Sequence, residues 1–140
     1  MIRLIFSMFF LVVALVSCDK MDCNGKLDGN WQLTEWRDIV SGDVVADNTS
    51  GIFYTVKLEL IQFKSNAAGY YPYLAYFDHK GDSLIIGDVF HNQANTDSLV
   101  TLGDLAQFGD DGSGRFLIRD LSSDRLVLTN RQNRLTFRKY

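Results

Sequence analysis

A seven-residue stretch, Leu27-Asp28-Gly29-Asn30-Trp31-Gln32-Leu33, constrains this chain more than any other. Side chains alternate across an extended segment, so Leu27, Gly29, Trp31 and Leu33 share one face. A large indole on the first strand of a small β-protein needs a sheet that curls around it. Glycine two residues earlier removes a side chain from the same face, which lets the backbone bend and a neighbour approach closely. The pattern points to a closed β-structure with Trp31 at its sealed end.

The rest of the chain reads as strands separated by turn residues. After a first strand near Asn30–Asp38, the clusters Ser41-Gly42-Asp43 and Asp47-Asn48-Thr49-Ser50-Gly51 mark a loop. Ile52–Phe63 forms the longest strand pattern, with Ile52, Tyr54, Val56, Leu58 and Leu60 on one face. That length suits the tilted, bent strands of a small barrel. An aromatic strand follows at Tyr70–Asp78, with Pro72 near its start, where a missing amide donor is tolerated. His79-Lys80-Gly81-Asp82 turns the chain into a strand at Ser83–Val89, and Phe90–Asp97 reads as polar loop.

Thr101-Leu102-Gly103-Asp104 fits a capping box. It opens one short helix, with Leu102, Leu105 and Phe108 on one side and Gly109 as the stop. Asp110–Gly114 turns the chain back into three short strands, at Arg115–Arg119, Arg125–Thr129 and Arg134–Tyr140. Even spacing and tight turns predict an all-β, antiparallel up-and-down meander closing into a barrel of about eight strands. Seven strands are evident; the eighth comes from Val40–Ala46 or from a split of the long second strand.

The N-terminus sets the compartment. Arg3 precedes an apolar run, Leu4–Val16, interrupted only by Ser7. As a helix it would span about 20 Å, short of the roughly 30 Å hydrocarbon core, so it is a signal-peptide core and not a membrane span. Leu15-Val16-Ser17-Cys18 has the form of a bacterial lipobox, in which the cysteine is lipidated and becomes the new N-terminus. The expected organisation is a signal peptide at 1–17, a lipidated tether at 18–26 and a barrel domain at 27–140. With Cys18 acylated, Cys23 has no partner for an internal disulfide, and the fold stands on its core alone.

Charge is unevenly spread. Residues 18–111 carry 6 basic and 15 acidic side chains, whereas residues 112–140 carry 7 basic and 2 acidic. Because the basic residues alternate with apolar ones along strands, pairing across strands with the acidic part is expected, and no nucleic-acid partner.

Signal peptide, lipobox and Gly29-Asn30-Trp31 opening a β-meander together resemble the lipocalin-like (calycin) lipoproteins of Bacteroidetes. The resemblance implies an eight-stranded barrel closed near Gly29 and Trp31, with a basic residue of the last strand packed over the indole. Arg134 and Arg138 are the two candidates, four apart on one face of Arg134-Leu135-Thr136-Phe137-Arg138-Lys139-Tyr140. Asp19 and Asp22, behind the lipidated cysteine, resemble export signals that favour the cell surface over the periplasmic face of the outer membrane.

Signatures of catalysis are sparse. The sequence has no Gly-x-Ser-x-Gly, no His-Glu-x-x-His and no glycine-rich phosphate loop. Asp78-His79-x-x-Asp82 and Asp88-x-x-His91 stand at opposite ends of a strand, too far apart to share one metal. Asp110-Asp111-Gly112-Ser113-Gly114 lacks the downstream acid of a calcium loop and reads as a turn. No enzyme activity, metal or cofactor is expected.

The aromatic residues suggest two non-catalytic roles. In one, a small, partly apolar molecule sits in the barrel mouth, lined by Tyr54, Tyr71, Tyr73 and Phe77. In the other, the barrel is filled, and outward aromatics serve a protein partner.

The lipobox yields a direct test. A palmitate analogue fed to producing cells should label the wild-type protein and leave Cys18→Ala unlabelled; equal labelling of both removes the lipoprotein assignment.

Overall fold

In the computed structural model, the described residues are 24–140 apart from 68, 70 and 95. The signal peptide, Cys18 and Cys23 lie outside them. A 3₁₀ turn at Gly25–Leu27 leads into β1 (Gly29–Asp38), β2 (Val44–Asp47), β3 (Phe53–Lys57), β4 (Leu60–Lys64), β5 (Tyr73–Lys80), β6 (Ser83–Asn92) and β7 (Asp97–Val100). A 3₁₀ helix at Leu102–Phe108 separates these from β8 (Arg115–Leu121), β9 (Arg125–Thr129) and β10 (Asn133–Lys139).

Eight strands form a ring in the order β1-β3-β4-β5-β6-β8-β9-β10, which closes where β10 pairs antiparallel with β1. The chain is therefore an antiparallel up-and-down barrel. β2 and β7 stand outside the ring, each paired with one neighbour, β1 and β6 respectively.

Both sources foreseen for an extra strand are realised. The long second strand splits at Leu58, which takes φ +56°, and the turn there makes β3 and β4 a hairpin. Only one of its two segments keeps the expected face. Tyr54 and Val56 point inward on β3, but beyond the turn Ile61 and Phe63 point inward while Leu58 and Leu60 are exposed. The Val40–Ala46 region contributes β2, off the ring.

The expected polar loop at Phe90–Asp97 is corrected as well. β6 runs on to Asn92 and then pairs with β7. A register shift opposite Ala75 and Phe77 lets β6 change partner: Ser83–Ile85 pairs with β8 and Val89–Asn92 with β7. The two-turn helix is a 3₁₀ helix of seven residues. Asp104 accepts from the Thr101 amide at 2.9 Å, and Gly109 ends the helix at φ +96°, where a Cβ would meet Leu135.

The core runs through the ring. Trp31, Leu33, Tyr54, Phe63, Phe108, Leu128, Leu135 and Phe137 are all buried. Tyr54 lies 4.7 Å from Phe63 and 4.6 Å from Phe137 between ring centroids, and Phe63 lies 5.6 Å from Phe108. Edge-on and tilted rings at these spacings attract one another beyond the area they bury.

Trp31 is fully buried, and its indole N–H donates to the Leu27 carbonyl at 2.8 Å. Truncating it removes both the packing and the one polar contact the ring requires. Trp31→Ala should cost about 3–5 kcal/mol in chemical denaturation, comparable with the whole stability of many domains this size. A loss below about 1 kcal/mol would show that the ring is not sealed there.

Candidate functional site

The two ends of the barrel are built differently. At the end nearest the tether, Leu27 and Trp31 fill the opening and Lys139 covers them. Its Nζ stands 4.4 Å from the centre of the Trp31 ring and donates to the carbonyls of Asp28 and, at 3.3 Å, Lys26. Gly29 makes this possible: at φ +134°, a Cβ there would overlap the Lys139 side chain.

Lys139 thus takes the place expected of Arg134 or Arg138. Those arginines alternate with the buried Leu135 and Phe137 and project outward, and Arg138 donates to Gln32 Oε1 at 2.7 Å. Lys139 shares the inward parity of Leu135 and Phe137 and pairs opposite Trp31. That parity was the available signal: the covering cation had to be an odd-numbered residue of this strand.

At the opposite end, the 3₁₀ helix drives Leu105 and Phe108 into the barrel. The Tyr54 hydroxyl donates to the Phe108 carbonyl. Burial, with the Asp110 carboxyl nearby, pushes the Tyr54 phenol well above its usual range, which keeps it a neutral donor. Asn133, almost wholly buried, donates to the Gly109 carbonyl at 2.8 Å and accepts from the Trp36 indole at 2.8 Å. Asn130 donates to the same carbonyl at 2.8 Å. Sequence periodicity gave no sign of this polar closure, because it joins residues from a loop, a turn and two strands.

Of the four aromatic residues expected to line a mouth, Tyr54, Tyr73 and Phe77 pack in or against one core, and Tyr71 stands apart. Tyr54 is buried in the core, with both ring and hydroxyl engaged. Tyr73 is half-buried, stacked on His91 at 4.4 Å and edge-on to Phe108 at 5.7 Å. Phe77 is partly buried against the core. Tyr71 instead lines a groove of about 590 Å³ outside the barrel, beside the β4–β5 loop.

The histidines lie at opposite ends of the β5–β6 hairpin, His79 opposite Leu84 and His91 opposite Tyr73. His91 Nε2 is a buried atom without a hydrogen-bond partner among the described residues.

The loop after the helix is an anchored turn. Asp110 accepts from the amides of Gly112 and Gly114, each at 3.0 Å. Asp111, with a side chain only 3% exposed, accepts from the Ser113 amide and hydroxyl and from the Arg131 amide and guanidinium. Burial works to raise its pKa, but the bonds from Ser113 and Arg131 outweigh it and hold it at about 2.

Expected pairing of the basic C-terminal strands with the acidic part is largely absent. Among the described residues their ion pairs are Arg125–Asp120, at 3.5 Å, and Arg131–Asp111, at 3.3 Å. Arg119 bonds Thr129 Oγ1 at 3.0 Å instead of an acid.

The closed antiparallel meander, sealed at one end by Trp31 under Lys139, is the barrel that the lipocalin-like resemblance implied. The chain belongs to the lipocalin-like domain family, which matches residues 12–140. Three solved structures share the fold. A lipocalin-like protein from Bacteroides uniformis is 20% identical, with a TM-score of 0.58 over 83% of this chain and 100% of that one. An uncharacterised protein from Bacteroides eggerthii is 22% identical, with a TM-score of 0.51 over 81% of this chain and 98% of that one. A protein from Burkholderia xenovorans is 15% identical, with a TM-score of 0.50 over 81% of this chain and 82% of that one. Among curated proteins, none matches the chain.

The Asp111 anchor has a pH signature. Its folded pKa of about 2 lies below the usual 3.8, so it contributes stability fully present above about pH 4 and lost as pH falls toward 2. Asp111→Asn should cost about 2 kcal/mol at pH 7, with the difference from wild type shrinking between pH 4 and pH 2. A pH-independent difference removes the ionised anchor.

Proposed function

We propose that this chain is a non-catalytic lipoprotein of the outer membrane, held through Cys18, that works by presenting the outside of a filled lipocalin-like barrel to a protein partner. The observation that carries this reading is the interior. Trp31, Tyr54, Phe63, Phe108 and Phe137 are each 1% exposed or less, and rings touch from one wall of the barrel to the other. An eight-stranded barrel has room to fill itself or to hold one small ligand, and here side chains take that room. The family is typically made of non-enzymatic binding proteins, in keeping with a surface role.

The outer wall offers a matching feature. On β4–β7, Leu60 stands opposite Tyr76, and Leu74 stands in register with Phe90 and then Leu99. Tyr76 is 51% and Leu99 68% exposed, and the Tyr76 and Phe90 rings meet edge to face at 6.4 Å. A continuous apolar strip across four strands is the kind of surface that proteins bury against one another. The alternative, a small partly apolar molecule at the mouth held by Tyr54, Tyr71, Tyr73 and Phe77, has less support, because three of these pack in or against the core and Tyr71 lines a separate groove.

Two measurements separate the readings. Native mass spectrometry of the purified chain should show no small molecule whose retention depends on Tyr71 or Tyr73. Cross-linking in intact envelopes should give a discrete adduct with wild type that Tyr76→Ser and Leu99→Ser each reduce at least fivefold. A retained small molecule that Tyr71→Ala or Tyr73→Ala releases, or an adduct indifferent to both surface substitutions, would overturn the proposal.

A further inference from the structure

A second surface, on the opposite run of strands, has a different chemistry. On the outer face of β8, flanked by β6 and β9, lies a groove of about 560 Å³. Its floor is apolar: Leu117 is 44% exposed at its centre, in register with Ser83 on one side and Thr129 on the other. Ile85 lies one row along, opposite Arg115. Cations surround this floor. Arg115 and Arg119 lie two residues before and after Leu117 on the same strand and are exposed, and Arg131 enters from the β9–β10 turn.

We infer that this groove binds a small amphiphilic anion, a carboxylate or phosphate monoester carried on a short apolar body. Charge complementarity carries the assignment. Among the residues lining the groove, Arg115, Arg119 and Arg131 meet one acid, Asp111, which is almost wholly buried and committed to Ser113 and Arg131; Asp78, opposite Ile85 on β5, stands one strand beyond. The groove is therefore positive in a chain of net charge −3. Arg115 has no hydrogen-bond or ion-pair partner for its guanidinium among the described residues.

The other two arginines are pre-positioned by partners that leave donors free. Arg119 uses Nε on Thr129, and Arg131 uses Nε on Asp111. Each keeps its terminal amino groups for a ligand oxygen. A guanidinium fork matches a carboxylate or phosphate in two bonds, which a lysine does not. Beneath such a headgroup, Leu117 and Ile85 offer a place for hydrocarbon, and the volume is that of small-molecule sites. Floor and rim select for both halves of the ligand, so neither a neutral apolar molecule nor a bare anion satisfies the groove. This site shares no residue with the apolar strip on β4–β7 and stands whether or not that strip has a partner.

The probe is octanoate, with octanol and inorganic phosphate as its two halves, titrated into the purified full chain and followed by calorimetry and backbone amide shifts. Octanoate should saturate, with shifts confined to β8, the end of β9 and the following turn. Octanol and phosphate should bind at least tenfold more weakly. Arg115→Gln and Arg119→Gln should each weaken octanoate about tenfold, as loss of a charge-assisted contact does. Leu117→Ser should weaken it without altering the response to phosphate. Arg138→Gln, on a neighbouring strand outside the groove, should have no effect. The inference is overturned if octanoate fails to saturate, if phosphate binds as well as octanoate, or if Arg138→Gln weakens binding as much as Arg115→Gln, which would mark diffuse attraction by a basic surface.

Discussion

Everything in this barrel depends on how one indole is sealed. Trp31 is too large to leave exposed, and its N–H is too polar to bury unpaired. Both demands are met locally: the Leu27 carbonyl, just before β1, takes the N–H, and Lys139 on β10 lies across the ring. The residues that pair opposite Trp31 belong to β3 and β10, so the same spot fixes a hairpin partner and the closure of the ring. Gly29 is required by this arrangement twice, for its positive φ and for the space the lysine occupies. A cation above an aromatic face contributes about 1–2 kcal/mol when partly desolvated. Here it also keeps water from the sealed end.

The opposite end is closed by a separate device, and the pairing of β6 explains why one is needed. β6 gives only Ser83–Ile85 to β8 before turning its second half to β7. A seam that short leaves the wall open above it, and the 3₁₀ helix enters there, carrying Leu105 and Phe108. Its backbone must then be satisfied inside the protein, which Tyr54 does at Phe108 and the pair Asn130 and Asn133 do at Gly109. Tyr54 therefore works as part of the closure. A tyrosine whose hydroxyl is fixed to a buried carbonyl has no donor left for a ligand.

Much of the fold is readable in the chain because period-2 alternation and turn chemistry are local. Gly29-x-Trp31, the capping box at Thr101 and the Gly109 stop all sit where their residue types require. What local pattern does not carry is the point at which a strand turns over. Leu58 has no turn signature, yet it adopts a left-handed conformation and reverses the inward face between Val56 and Ile61. The cation over Trp31 was legible by parity but obscured by the two neighbouring arginines, whose longer reach suits an outward face equally well. β7 carries no strand signature because Asp97-Ser98-Leu99-Val100 is mostly polar or exposed, as an annexed edge strand is free to be.

The distribution of charge then follows from what the fold does and does not require. An exposed ion pair on a sheet contributes about 0–1 kcal/mol, so nothing in the stability of β8, β9 or β10 compels their arginines to find acids. The acids instead go to turns, where carboxylates accept backbone amides: Asp38 from Val40 and Ser41, Asp47 from Thr49, Asp110 from Gly112 and Gly114. Those bonds hold the barrel's loops and leave the carboxylates spent where they stand. Among the described residues Arg115 keeps its guanidinium unpaired, and Arg119 and Arg131 use only Nε, on Thr129 and Asp111, beside the exposed Leu117. Because Trp31, Tyr54, Phe63, Phe108 and Phe137 occupy the core, the outer walls are where this barrel leaves side chains uncommitted, and the proposed selectivity of the wall around Leu117 rests on that.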